Sequence, residues 1–234
     1  MALFTISDLH LSLNTNKEMD VFGGIWKGYI DKLERNWNET VKEDDLVVIP
    51  GDISWETYLE DTERDFKFLD NLNGNKILLK GNHDYWFLTV NKLYSFFEEN
   101  NITTIKMLHN NFYTYEKTAI CGTKGVDIIK KPITDEKIKL ENREAIRLEN
   151  SIIQAKNAGY EDIIVFMHYP PVLKDGKYND NLFYSVLKEY NIKKCYYGHL
   201  HTRSHHMAVC EEIEGIEFKL VSSDYLDFKP MKIL

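Results

Sequence analysis

Six apolar runs in this chain, at 3–6, 46–49, 77–79, 119–121, 163–167 and 195–197, are too short for helices, and several are too continuous for strands with one wet face. Unbroken runs of that length belong to strands buried on both faces of a layered sheet. Five short polar segments punctuate the same stretch of chain: Asp8-Leu9-His10, Gly51-Asp52, Gly81-Asn82-His83-Asp84, His168, and Gly198-His199-Leu200-His201. Four of the five directly follow an apolar run. Strand ends converge on one edge of a sheet, so donors far apart in sequence can meet at one site.

Between the runs lie segments of helical period. Trp26, Ile30, Leu33, Trp37 and Val41 recur at three- and four-residue steps and predict one amphipathic helix. Leu59, Phe66, Leu69 and Leu72 predict a second, and Val90, Leu93, Phe96 and Phe97 a third. Ile138, Ala145, Leu148, Ile152 and Ala155 mark a long fourth, closed by Gly159, and Leu182, Val186, Leu187 and Tyr190 a fifth. Strands alternating with helices specify an α/β layered fold. The stretches 102–122 and 207–221 are strand-rich without a helix and predict antiparallel additions and a second sheet. With no repeat and no Pro/Gly/Ser linker, residues 1–234 are expected to form one domain.

A net charge of −8 argues against a sequence-independent grip on long nucleic acid, which needs clustered Lys and Arg. Cys121, Cys195 and Cys210 show no CxxC spacing, and the first two lie in or beside apolar stretches, as reduced core thiols do. No basic leader precedes the first run and no apolar stretch reaches membrane-spanning length, so a soluble cytoplasmic protein is expected.

The polar segments supply carboxylate, amide and imidazole donors. Two residues apart on extended backbone, Asp8 and His10 can reach one cation, and His199 and His201 repeat that spacing. Asp52 is a ligand or a helix N-cap. In Gly81-Asn82-His83-Asp84 the Asn amide oxygen is a neutral hard ligand, and His83 is thrown to a different side. Asp84 can hold a histidine in one tautomer or raise its pKa.

The order D-x-H, G-D, G-N-H-D, H, G-H-x-H resembles that of the calcineurin-like metallophosphoesterases, over most of the chain from Asp8 to His201. The resemblance implies a four-layer sandwich of two facing mixed sheets flanked by helices, with metals at the strand ends. It implies Asp8, His10, Asp52 and His201 around one cation, and Asp52, Asn82, His168 and His199 around a second. His83 would face the substrate phosphate and assist the leaving group, with Asp84 beside it. Two divalent transition-metal ions, Mn, Fe, Zn or Co, suit that donor set better than Ca. Against the carboxylates of Asp8 and Asp52 they would leave about two positive charges to attract a phosphate.

The implied reaction is hydrolysis of a phosphate mono- or diester by metal-bound hydroxide, on a small phosphorylated substrate such as a nucleotide. Two relatives of this fold define the alternatives: a nucleotide-linked pyrophosphatase of lipid metabolism and a non-catalytic protein-binding scaffold. Asp52 is followed by Ile53-Ser54-Trp55, not by the Asp-Arg-Gly of eukaryotic-type protein phosphatases, which argues against protein-phosphatase activity. The segments Gly122-Thr123-Lys124-Gly125 and 223–230 are similar to bacterial members of unassigned substrate.

Trp55, Tyr85, Trp86 and Tyr169 sit beside the motifs and either wall the mouth of the site or pack beneath its loops. His205 and His206 are read as surface histidines and His109 as a turn residue. Lys124 is read as a solvated loop lysine, with a substrate phosphate as its alternative partner.

Overall fold

A computed structural model of the chain describes residues 1–15, 19–128, 134–174, 176 and 181–234, the side chains of Asp20 and Phe22 aside. In the first sheet β1 (Leu3–Thr5), β2 (Leu46–Pro50), β3 (Asn75–Leu79) and β4 (Ile105–Met107) lie parallel in that order. In the second, β5 (Tyr113–Tyr115) pairs antiparallel with β6 (Thr118–Thr123), and β6 continues in parallel through β7 (Asp162–Met167) and β8 (Lys194–Tyr197). There β9 (Glu212–Ile213) pairs antiparallel with β10 (Ile216–Leu220), which lies parallel to β8. Finally β11 (Met231–Lys232) closes the edge of the first sheet antiparallel to β1. The expected mixed α/β sandwich and its antiparallel additions are both present.

Alternation along each strand explains why the runs are apolar throughout. On β2, Val47 and Ile49 pack outward with Leu33 and Trp37 of α1 (Tyr29–Thr40), Phe66 and Leu69 of α2 (Glu63–Asn71), and Leu93 of α3 (Val90–Glu99). Val48 faces the other way, into a layer shared with Leu3, Ile77, Ile120, Ile164 and Phe166 between the two sheets. Val165 and Cys195 pack outward again with Leu148 and Ile152 of α4 (Asp135–Asn157) and Leu187 of α5 (Leu182–Glu189). Both faces of both sheets are therefore dry, and three apolar layers hold four layers of structure together.

Two helices depart from their expected extents. The helix predicted from Trp26 begins only at Tyr29, because Gly28 adopts a left-handed φ of 63° and Trp26 ends a separate 3₁₀ turn. Leu59 likewise lies in a 3₁₀ turn ahead of α2. Gly159 follows α4 with φ at 89°, the conformation of a residue just past a helix end. Among the described residues no helix is long and apolar enough to cross a membrane.

The two sheets are joined at one end. The Ser7 N–H, just past β1, donates to the Val221 carbonyl, just past β10, at 2.8 Å. That junction brings the C-terminal ends of β1, β2, β3, β7, β8 and β10 to one edge.

Candidate metal centre

All five polar segments meet at this edge, in two groups of donors. Asp8, His10 and His201 offer ligand atoms within 4.8 Å of one another, and so do Asp52, His168 and His199. In the first group the Nε2 atoms of His10 and His201 lie 3.2 Å apart, and His201 Nε2 is 3.3 Å from Asp8 Oδ1. In the second, His168 Nε2 lies 2.7 Å from Asn82 Oδ1 and 3.4 Å from Asp52 Oδ2. The same Asp52 oxygen is 3.8 Å from His10 Nε2, so it stands between the groups.

Three of these side chains are held from behind, which aims their free atoms inward. Asp52 Oδ1 accepts from the His83 N–H at 2.8 Å, leaving Oδ2 to the site. His168 Nδ1 donates to the Pro50 carbonyl at 3.1 Å, and His201 Nδ1 to Asp224 Oδ1 at 2.8 Å. Such bonds fix the tautomer and ring plane of a histidine whose other nitrogen binds a metal. The backbone is constrained as well: Asp8, His10, Asp52 and His199 have φ of 60°, 46°, 53° and 72°. Side chains in that region cost roughly 1–3 kcal/mol each and persist where surroundings force them, commonly at functional sites.

Two motif glycines are required by close approach. A Cβ at Gly81 would lie 2.1 Å from Asp52 Oδ1, and one at Gly198 would lie 2.3 Å from Asp8 Oδ2. Any other residue there would displace a candidate ligand.

The charges fit a cation. Burial pushes the Asp8 carboxyl up, but His201, His168 and His10 outweigh it and hold the group below the ordinary carboxylate range. For Asp52, burial together with Asp84 and Asp8 raises the pKa well above that range. Burial keeps His10 neutral and lowers His168 to about 3 and His199 to about 4, so their lone pairs are available. Burial also works against a proton on His201, yet Asp8 and Asp224 prevail and raise it to about 10. Without an ion the centre therefore favours protons on Asp52 and His201, which a divalent cation would displace.

With that geometry in place, the comparisons decide the family. The model of the calcineurin-like phosphoesterases matches residues 1–203. The chain belongs to this family. Calcineurin-like phosphoesterases bind divalent metal ions and hydrolyse phosphoesters, and the chain is therefore read as a metal-dependent phosphoester hydrolase. No curated protein matches it by sequence.

Solved structures share the fold at low identity. A protein of unknown function, AQ665, from Aquifex aeolicus is 17% identical with a TM-score of 0.55, over 99% of this chain and 95% of that one. The phosphopantetheinyl hydrolase PptH from Mycobacterium tuberculosis is 14% identical with a TM-score of 0.57, over 100% and 95%. TT1561 of Thermus thermophilus is 11% identical with a TM-score of 0.52, over 88% and 85%.

One expectation for this calcineurin-like phosphoesterase changes. Asp84, which could have held the neighbouring His83, is buried and braces the loops that carry Asp52 and Asn82. Its Oδ2 accepts from the N–H groups of Asp52 at 2.9 Å and Gly81 at 2.7 Å, and its Oδ1 from those of Ile53 and Ser54. A carboxylate can collect several main-chain donors in this way, and here they come from the two loops that carry Asp52 and Asn82.

The aromatic neighbours divide. Trp55 stacks on His10 at 4.7 Å and lies 4.3 Å from His83, so it walls the site. Tyr169 does the same beside His199 at 4.3 Å. Tyr85 is exposed near His83, whereas Trp86 is fully buried against Phe66.

Two contributors were not assigned to the site from sequence. Trp26 presents an edge to His10 and His201, although the helical period assigned it only to packing. Asp224 follows β10 as the ligands follow their strands, and that position was the available clue.

Proposed function

We propose that the chain is a dinuclear metal-dependent phosphohydrolase acting on a phosphate mono- or diester of a small molecule. Asp8, His10 and His201 would hold one cation and Asn82, His168 and His199 the other, with Asp52 shared. The observation that carries this reading is the single Asp52 oxygen lying 3.8 Å from His10 Nε2 and 3.4 Å from His168 Nε2. The imidazole, carboxylate and amide donors suit Mn, Fe, Zn or Co. Bound there, two such ions polarise a phosphoryl oxygen and lower the pKa of a water towards neutral.

The chain's own residues do the rest. Asp52 ties His83 into the site, since its Oδ1 accepts the His83 N–H. The His83 ring lies 5.7 Å from that of His10, and Trp55 flanks both. His83 is half-buried, so its ring can meet a substrate at the mouth of the site. There it would hand a proton to the leaving oxygen or stabilise its charge. Trp55 and Tyr169 limit water on either side.

His83→Ala should keep its full metal content and lose about 10²–10⁴-fold in kcat on a nitrophenyl phosphate or its bis-ester. Metal analysis and steady-state kinetics on Mn-, Fe-, Co- and Zn-reconstituted protein check this. Full turnover in His83→Ala with metal intact would remove His83 from the chemistry, and no turnover by the unaltered chain with any of these metals would remove the function.

A further inference from the structure

On the flank of the metal centre lies a cleft of about 280 Å³ lined by Lys80, Lys124, Arg143, Arg147, His109 and Glu144, among others. Its walls come from the ligand loops themselves. Lys80 directly precedes Gly81-Asn82, and the Lys124 carbonyl accepts from the N–H of Tyr169, the residue after His168, at 2.9 Å. The opposite wall is α4. Arg143 and Arg147 stand on it one turn apart, and with Lys139 a turn earlier they line a neighbouring shallower groove of about 570 Å³.

The charge of this cleft runs against that of the chain. In a protein of net charge −8, four cations and a single carboxylate line this cleft among the described residues. That carboxylate, Glu144, is buried and fully engaged: Oε1 accepts from Arg147 Nη1 at 2.5 Å and Oε2 from Thr123 Oγ1 at 2.7 Å. It therefore fixes the Arg147 guanidinium in place, and among the described residues no ion pair engages Lys124 or Arg143. Burial, with Arg147 and Lys80, lowers the pKa of His109 on the same cleft against the pull of Glu144. Cations set together on the wall of a cleft focus a field that attracts an anion. A carboxylate would neutralise one of them; a phosphate dianion matches the excess better, and a planar guanidinium can grip it with two parallel hydrogen bonds.

We propose that this cleft is a second anion subsite, and that the substrate of the metal centre carries a further phosphate group that seats among Lys124, Arg143 and Arg147. The substrate half of the proposal rests on the phosphohydrolase reading above. Lys124 then changes from a solvated loop lysine to a specificity residue, and His109 from a turn residue to part of its wall. The preferred substrates are small bisphosphorylated molecules with one phosphate esterified for cleavage and the other used for grip.

The full chain tests this in two forms. Stripped of metal by a chelator, it should bind inorganic phosphate in a calorimetric titration, because the centre then lacks the ions that would hold the anion and leaves the cleft to take it. Lys124→Gln combined with Arg143→Gln should weaken that binding roughly ten- to hundredfold, the size of one lost charge-assisted hydrogen bond. Arg143 is exposed and Lys124 half-buried, so the variant removes no core, and its near-ultraviolet circular dichroism should match the parent. No binding by the parent, or equal binding by parent and variant, overturns the proposal.

With metal restored, kcat/KM should favour a nucleoside bisphosphate, phosphorylated on separate hydroxyls, over the matching monophosphate. The variant should shrink that preference at least about tenfold. An unchanged preference overturns the substrate half. Phosphate binding by the stripped chain with no hydrolysis by the loaded one leaves the subsite standing and sinks the metal-centre reading instead.

Discussion

The two sheets contribute to the centre unequally. From the ends of β1, β2 and β3 come both candidate ligand carboxylates, Asp8 and Asp52, with His10 and the Asn82 amide. From β7 and β8 come only imidazoles: His168, His199 and His201. The first sheet thus supplies the negative charge and the second the neutral or protonated rings that surround it. Neither set is a complete site. The halves interlock through single atoms, with the His199 N–H 3.0 Å from both Asp8 oxygens and the His168 ring donating to Pro50 of the opposite sheet. A chemistry split between sheets in this way exists only when their relative position is held to fractions of an ångström. This explains the tight glycines and the left-handed ligand residues at the seam.

Removing the charge that both groups share should break the arrangement most severely. Asp52→Asn keeps the shape and the bond to His83 but halves the ligand charge. Metal content should drop in both groups, and kcat/KM should fall by roughly a thousandfold or more, several kcal/mol of charge stabilisation being lost. Elemental analysis beside kinetics tests it, and loss of only one ion would show that Asp52 is not shared.

A smaller effect should follow from a change outside the ligand set. Asp224→Asn leaves every proposed ligand in place but weakens the acceptor that orients His201. Metal affinity in the first group should fall about 10–100-fold while the second group is spared. Competition with a fluorescent chelator would resolve the two affinities.

A third effect, smallest per pH unit, separates the groups by pH. In the metal-free chain the pKa of His201 is raised to about 10, so a cation must displace its proton. His168 and His199, lowered to about 3 and about 4, are already neutral at pH 7. Metal affinity in the first group should therefore climb roughly tenfold per pH unit between 7 and about 10, then level off. The rings of His168 and His199 add no such slope. Imidazole nitrogen shifts of the stripped protein at pH 8 should show two ring protons on His201 and one on each of the others. A neutral His201 at that pH contradicts the account.

Most of the architecture was legible because its physics is local. Runs such as 163–167 are apolar on both faces since both faces are dry, and helix periods reappear where a core must be met. The candidate ligands stood out in the sequence because most follow a strand and carry a donor that chemistry limits to a few residue types. What escaped depends on contacts that spacing does not encode. Asp84 sits beside His83 in sequence, yet its oxygens turn back to the main chain of two loops. Asp224 acts on a histidine 23 positions earlier. The start of α1 moved because one glycine, Gly28, takes a left-handed turn that helical periodicity does not register. The cations of α4 lay in plain view at four-residue steps, but a helical stripe of charge is ordinarily a solvated face. Only the fold sets it against Lys80 and Lys124.

The central claim is that the two sheets close around two cations that share Asp52. Anomalous diffraction from crystals of the Mn-loaded chain tests it most directly. Two peaks are expected, one among Asp8, His10 and His201 and one among Asn82, His168 and His199, with Asp52 between them. A single peak, or two peaks with Asp52 bound to only one of them, would contradict it.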